Sequence, residues 1–343
     1  MRRQKAGRSG RYSERAPRAQ ALKPFFARKL CVASPCGYGA GVFAAAKDRA
    51  MRRFIIFASA FLSIAACSKP AVDTPAEPEK ATPAEPKVDA LRLYVLDCGH
   101  IDISDLSVFD RGGAYDGRGD NFADACFLIR HPSGDLLWDA GLPDALNDAP
   151  DGVTNPPFTL KVPKTLKGQL ERIGVPPDYV EYFSISHSHF DHVGNANLFK
   201  NATFIVNEKE RDHMFRAEAR ADAQNFANYS DLEAAQKVTF TDSYDVFGDG
   251  KVIIISMPGH TPGHSVLLID LEHSGPILLS GDLYHLTEAR EKRTVPTFNT
   301  DADETLASMD KFEELAKASG ARVIIQHEDA DFNNLPRAPA YLD

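Results

Sequence analysis

The chain has 343 residues, 43% of them apolar, with 39 Lys and Arg against 48 Asp and Glu. The charge is unevenly placed: residues 1–50 hold 12 basic and 2 acidic side chains, a net of +10, and everything from Met51 onward carries a net of −19. A body that acidic repels polyanions, which argues against nucleic-acid binding, and five Cys without regular spacing exclude a disulfide-stapled miniprotein or a zinc-ribbon array.

Residues 1–50 lack apolar periodicity and are expected to be disordered, or not to be translated at all; an Arg-rich, acid-poor transit peptide is the rival reading. Behind them, Met51-Arg52-Arg53 opens an apolar run over 54–66 that ends at Cys67. A basic start, about a dozen apolar residues and small residues before the break describe a secretory signal peptide over 51–66. The run falls well short of the ~20 residues that span a bilayer. Such a signal works only near the start of a chain, so Met51 is the expected initiator. Ile64-Ala65-Ala66-Cys67 resembles the bacterial lipobox, whose cysteine is diacylated and becomes the mature N-terminus. That resemblance implies a lipoprotein held to a membrane through Cys67, in the periplasm or cell envelope. Residues 67–90, rich in Pro, Ala and Glu, cannot bury enough apolar surface to fold and read as a tether.

A single folded domain is expected over 91–343. Strands are predicted over 91–96, 126–130 and 136–139, the last two joined by the turn His131-Pro132-Ser133-Gly134-Asp135. Helical spacing covers 165–173, strands follow at 182–186 and 203–206, and a polar-faced helix is predicted over 208–221. Short β-rich runs occupy 252–255, 265–269 and 277–280. A helix over 302–318 is ended by Gly320, and 323–325 is a last buried strand. Strands interleaved with helices over about 250 residues argue for one α/β domain with covered sheets. Cys98 and Cys126 fall in this body, where a disulfide and two buried thiols are both open.

Five of the eleven His stand in two short ordered groups, and a sixth follows the last predicted strand. Ser186-His187-Ser188-His189-Phe190-Asp191-His192 directly follows a predicted strand, and the C-terminal ends of strands are where α/β sheets place ligands. Imidazole and carboxylate are favoured non-sulfur ligands of zinc. The two-residue spacing lets His187 and His189 converge on one ion, while Asp191 and His192 turn toward a second. Pro258-Gly259-His260-Thr261-Pro262-Gly263-His264 follows another strand, in a backbone stiffened by Pro. His260 is the ligand candidate there, and His264 reads as a supporting or structural residue. Ser280-Gly281-Asp282 ends an apolar strand, and His327 stands just past the last one.

HxHxDH, GHTPGH, SGD and a late strand-end His, in that order, resemble the metallo-β-lactamase superfamily from about residue 91 to the C-terminus. The resemblance implies an αββα four-layer sandwich with two metal ions at one edge of the sheets. It implies that His187, His189 and His260 bind one ion, that Asp191, His192 and His327 bind the other, and that Asp282 bridges them. Asp139, in Trp138-Asp139-Ala140-Gly141, resembles the family's supporting strand-end Asp.

The chemistry implied is hydrolysis by hydroxide formed on two Zn²⁺ ions, other divalent transition metals being possible, with Asp191 or Asp282 carrying the proton to the leaving group. The bridging Asp282 departs from the metallo-β-lactamases proper, and His189 stands where flavodiiron oxidoreductases place Glu. The long insertion over 141–164, the helix before the metal loop and the stretch over 295–309 resemble N-acyl-homoserine lactonases. The implied substrate is a small lactone or ester, with acyl-homoserine lactones first. Lactonases of this group often carry a Tyr three residues after the bridging Asp; here His285 holds that place and Tyr284 precedes it, so both are candidates to steady the developing oxyanion. Phe158, Leu160, Val162, Phe226, Tyr229 and Phe298 are candidate walls of an acyl-chain groove. The alternatives are another ester, thioester or organophosphate hydrolase of this fold, or a non-catalytic metal-binding lipoprotein.

Overall fold

In the computed structural model, residues 87–343 are described. The expected signal peptide, Cys67 and most of the expected tether lie outside the described residues. Packing begins at Val88, which is buried, three residues before the expected start of the domain. Among the described residues no helix is long and apolar enough to cross a membrane.

Eight strands make the first sheet: β1 (Arg92–Ile103), β2 (Asp120–His131), β3 (Gly134–Trp138), β4 (Val153–Asn155), β5 (Phe158–Lys161), β6 (Tyr182–Ser184), β7 (Thr203–Asn207) and β8 (Lys237–Phe240), in the order β4-β5-β1-β2-β3-β6-β7-β8. The second sheet holds β9 (Ser243–Asp245), β10 (Val252–Ser256), β11 (Ser265–Leu271), β12 (Gly275–Leu279) and β13 (Arg322–Ile324), in the order β13-β12-β11-β10-β9. The helices that matter for the site are α1 (Leu166–Ile173), α2 (Phe190–Val193), α3 (Glu208–Met214) and α4 (Ala302–Ser319).

The period-2 rule explains why both sheets bury both faces. Leu93, Val95, Phe127, Ile129 and Trp138 meet Ile254, Leu267, Ile269 and Leu279 between the sheets. The alternate residues Tyr94, Leu96, Cys126 and Leu128 turn outward onto Leu166 and Leu170 of α1 and Met214 of α3. On the far side, Val266 and Leu278 pack against Met309 and Phe312 of α4. The result is the helix–sheet–sheet–helix stacking expected of the sequence. Cys98 and Cys126 form a disulfide between the adjacent strands β1 and β2.

Local signals set the helix ends. Thr165 caps α1 and left-handed Gly174 closes it; Asp301 caps α4 and Gly320, at φ +66°, ends it as expected. The helix expected over 208–221 is broken after Met214, where Phe215 leaves the helix and packs against Phe226 and Tyr229. β1 runs longer than expected because Asp97, His100 and Asp102 interrupt the apolar pattern without ending the strand, as Asp120, Asn121 and Asp124 do in β2; a bulge between Asp97 and Gly99 absorbs the irregularity in β1. The insertion over 141–164 carries the β4–β5 hairpin, and β5 pairs His100–Ile103 of β1, which brings Phe158 beside Ile103.

Strand direction then places the chemistry. β6 runs parallel to β3, β10 and β12 both run antiparallel to β11, and β13 runs parallel to β12. Asp139, His187, His260, Asp282 and His327 all follow the C-terminal ends of these strands, the position where such sheets present ligands.

A candidate dinuclear metal centre

Seven side chains from four loops converge. His187, His189, His260 and Asp282 form one group, and Asp191, His192 and His327 form a second. In the first, His260 Nε2 lies 3.1 Å from His187 Nε2 and 3.0 Å from His189 Nδ1. In the second, His327 Nε2 lies 3.3 Å from His192 Nε2 and 3.8 Å from Asp191 Oδ2. Asp282 spans the two: Oδ1 is 3.0 Å from His327 Nε2 and 3.2 Å from His192 Nε2, while Oδ2 is 3.5 Å from His260 Nε2 and 3.6 Å from His187 Nε2. All seven residues expected from the sequence to hold metal are therefore brought together.

Hydrogen-bond accounting shows why these atoms suit cations. Thr305 Oγ donates to the Asp301 carbonyl and accepts from Asn299 Nδ2, so Asn299 Oδ1 is left to accept the His260 Nδ1 proton at 2.9 Å. His327 Nδ1 donates to the Ala123 carbonyl at 2.8 Å. His192 Nδ1 meets Asp139 Oδ2 at 3.1 Å. With their protons on Nδ1, these rings turn bare Nε2 lone pairs inward, where lone pairs about 3 Å apart repel unless a positive ion stands between them. Ligands 2.0–2.1 Å from a tetrahedral ion stand about 3.3 Å from each other, which matches this spacing. Asp282 Oδ1 is buried and, despite its two close imidazoles, makes no hydrogen bond of proper geometry.

Charges compete in this dry space. Burial, helped by neighbouring imidazoles, holds His187 and His260 well below the ordinary imidazole range. Burial pulls His192 and His327 the same way, but Asp282 outweighs it, with Asp139 and Asp191 helping at His192 and Asp191 at His327; His192 rises well above the ordinary value and His327 to about 9. Burial pushes Asp282 up, yet His327, His192, His285 and His187 together hold it well below the usual carboxylate range. Asp124, fully buried and near Asp191, is pushed to about 7.

Supporting residues fix the ligands. Asp139, in the left-handed region at φ +61°, accepts from Ser186 N–H at 2.6 Å through Oδ1; Oδ2 accepts from Gln326 Nε2 at 2.7 Å. His264 accepts the Asp282 N–H on Nε2 and turns Nδ1 to the Met257 carbonyl, the supporting role its place in the sequence suggested. Asn299, Gln326 and Glu210 were not singled out from the sequence. Asn299 lies in the stretch noted before α4, but nothing in the order of residues reveals that it faces His260.

A cavity of about 380 Å³ opens onto the centre. His189, Asp191, Asp282, His285 and His327 form its polar end, and Ile101, Phe109, Phe122, Phe158 and Phe298 are among its apolar walls. His285 reaches it with Nε2 3.1 Å from Asp282 Oδ2. Tyr284 does not: it is 1% exposed and its hydroxyl donates to Glu313 of α4 at 3.1 Å. The expectation that Tyr284 steadies an oxyanion is corrected: after the 3-10 turn Gly281–Leu283 the backbone at Tyr284 is extended, which sends Tyr284 and His285 to opposite sides. Of the expected walls, Phe158 and Phe298 line the cavity. Leu160 packs in the cluster behind it, Val162 borders a separate polar pocket, and Phe226 and Tyr229 belong to the core outside the first sheet.

The family model described as the metallo-beta-lactamase superfamily matches residues 120–327. The N-acyl homoserine lactonase AttM of Azorhizobium caulinodans is 29% identical over 264 residues, covering 74% of this chain and 99% of that protein. An N-acyl homoserine lactonase of a Bacillus species is 30% identical over 230 residues, covering 63% of this chain and 86% of that protein. A solved structure of an N-acyl homoserine lactone hydrolase, with the product N-hexanoyl-L-homoserine bound at its catalytic metal centre, is similar at a TM-score of 0.63 and 26% identity, over 74% of this chain and 99% of that one.

Proposed function

The chain belongs to the metallo-beta-lactamase superfamily, and from that premise we propose that it is a dinuclear metal hydrolase that opens lactone rings, N-acyl homoserine lactones above all. The observation that carries the reading is the union of a polar, metal-fitting end and aromatic walls in one cavity. A lactone head with an acyl tail needs both. His187, His189, His260 and Asp282 would hold one ion, and Asp191, His192, His327 and Asp282 the other. We propose zinc, because imidazole and carboxylate oxygen without thiolate suit it. When bound, such ions lower the pKa of water and polarise a carbonyl oxygen.

The chain's own groups supply the rest. Asp191 and Asp282 border the cavity, and one of them takes the proton of the attacking water and returns it to the ring oxygen as the ester C–O bond breaks. His285 presents its Nε2 edge beside Asp282 and steadies the developing oxyanion. The apolar walls hold the acyl chain and keep bulk water from the reacting carbonyl.

The test is ring opening by purified protein over lactones of graded acyl length, beside a phosphotriester, a thioester and a β-lactam. Lactones should turn over fastest, activity should fall to background after chelation, and zinc should restore it. Full activity without metal, or a phosphotriester preferred to every lactone, overturns the reading.

We also propose that the protein acts outside the cytoplasm as a lipoprotein anchored through Cys67. The Cys98–Cys126 disulfide supports an oxidising compartment. Labelled fatty acid should enter the wild-type protein and not the Cys67→Ser variant; equal labelling of both sinks the proposal.

A further inference from the structure

Glu210 sits on α3, outside the cavity, and is 1% exposed. Its carboxylate accepts four hydrogen bonds. Oε1 takes the Ser188 N–H at 2.8 Å and the Ser188 hydroxyl at 2.6 Å. Oε2 takes the Thr261 hydroxyl at 2.6 Å and the Gly263 N–H at 3.0 Å. Ser188 stands between His187 and His189, and Thr261 directly follows His260. One carboxylate thus ties two loops, some seventy residues apart in sequence, at positions adjacent to three imidazoles that must meet. The four donors are all neutral, so the buried charge is not cancelled where it sits.

The approach is built in from both sides. A Cβ on Gly263 would lie 2.2 Å from the Glu210 nitrogen and 2.6 Å from its Cβ, so the second glycine of Pro258-Gly259-His260-Thr261-Pro262-Gly263-His264 is where α3 comes closest. Apart from Asp282, the group formed by His187, His189 and His260 has no carboxylate of its own. Glu210 supplies a fixed negative charge to it from outside. Resting on the reading of the two groups as metal sites, we propose that Glu210 is a positioning residue that sets the spacing of His187, His189 and His260 and selectively strengthens the ion they hold.

The experiment is stepwise metal binding by the purified full chain, read by chelator competition with Zn²⁺ and by the visible spectrum of the Co²⁺ form. His260→Ala and His327→Ala identify which step belongs to which group. In Glu210→Gln the amide NH₂ meets donors at Thr261 and Gly263. Affinity for the first ion should fall about 10–100-fold, as for partners that orient ligands, and its Co²⁺ bands should shift. The second ion should keep its affinity. Thr261→Val, which removes one of the two bonds to that loop and leaves the Gly263 N–H bond and the charge, should weaken the same ion less. A purely structural role would lower the melting temperature of the metal-free protein and leave the first ion's affinity unchanged. That result overturns the proposal, as does an equal loss at both ions. A wild-type chain that takes up fewer than two ions overturns the metal reading and this proposal together.

Discussion

The two halves of the centre share Asp282 and differ in almost everything else. The half made by His187, His189 and His260 has neutral side chains only, and burial keeps His187 and His260 from taking protons. The half made by Asp191, His192 and His327 carries its own carboxylate, and Asp282, Asp191 and Asp139 hold its imidazoles toward the charged form. The second half therefore holds an anion of its own beside its imidazoles, whereas the first has no carboxylate apart from the shared Asp282. Its geometry must be imposed from outside, by Glu210 across two loops and by Asn299 behind His260. In the second half that task falls to Asp139, which joins the end of β3, the loop after β6 and the loop after β13.

The comparison breaks most directly at Asp139. In Asp139→Asn an NH₂ group would meet the Gln326 amide and the His192 Nδ1 proton, and His192 would be pressed into the tautomer that blocks Nε2. The second ion should lose about 10–100-fold in affinity while the first is kept, the mirror of the expectation for Glu210→Gln. Chelator competition measures both steps; a parallel loss at both ions would erase the distinction between the halves.

A smaller and purely steric effect is expected at two glycines. Gly263 faces Glu210, and a Cβ on Gly194 would lie 2.3 Å from the Gly141 carbonyl, in the contact that ties α2 to the loop after Asp139. Neither has a left-handed φ, so alanine tests space and not backbone preference. Each substitution should cost about 1–3 kcal/mol in chemical denaturation. Gly263→Ala should weaken the first ion and Gly194→Ala the second, and the reverse pairing would contradict the geometry.

These contrasts also mark what the order of residues could and could not reveal. The seven ligands were legible because short motifs follow apolar strands, and the strand-end rule brings such motifs together. Asp139 was legible for the same reason. Glu210 was not, since a Glu on a polar-faced helix is ordinarily solvated, and only the packing of α3 on Gly263 shows this one to be buried. Tyr284 and His285 were inseparable in sequence, because their opposite directions depend on how the chain leaves β12. Phe226 and Tyr229 misled because an aromatic near a helix end packs equally well into a core or a cavity. The β4–β5 hairpin was hidden in an insertion whose pairing partner, the second half of β1, carries an irregular pattern.

The contrast between a carboxylate held by neutral donors and one held by charges extends to Asp97, away from the metals. Asp97 is buried on β1, with His100 Nε2 3.3 Å from Oδ1 and Lys164 Nζ 3.2 Å from Oδ2. The Asp97 carboxylate beside it raises the pKa of His100, against the pull of burial. Burial pushes Asp97 upward, but His100 and Lys164 outweigh it and lower its pKa. The stability due to His100 is fully present below its unfolded value of about 6.5 and is lost as pH rises through the raised folded value. That due to Asp97 is present above about 3.9 and is lost as pH falls through the depressed folded value. Both contributions coincide between roughly pH 4 and 6.5. Because the His100 side chain is 36% exposed, solvent screening keeps the gain below about 1 kcal/mol. Urea denaturation of His100→Ala should show a larger loss relative to wild type at pH 5.5 than at pH 8.5. Equal losses at the two pH values would mean that packing against Phe332, at a ring separation of 6.0 Å, and not charge, is what His100 contributes.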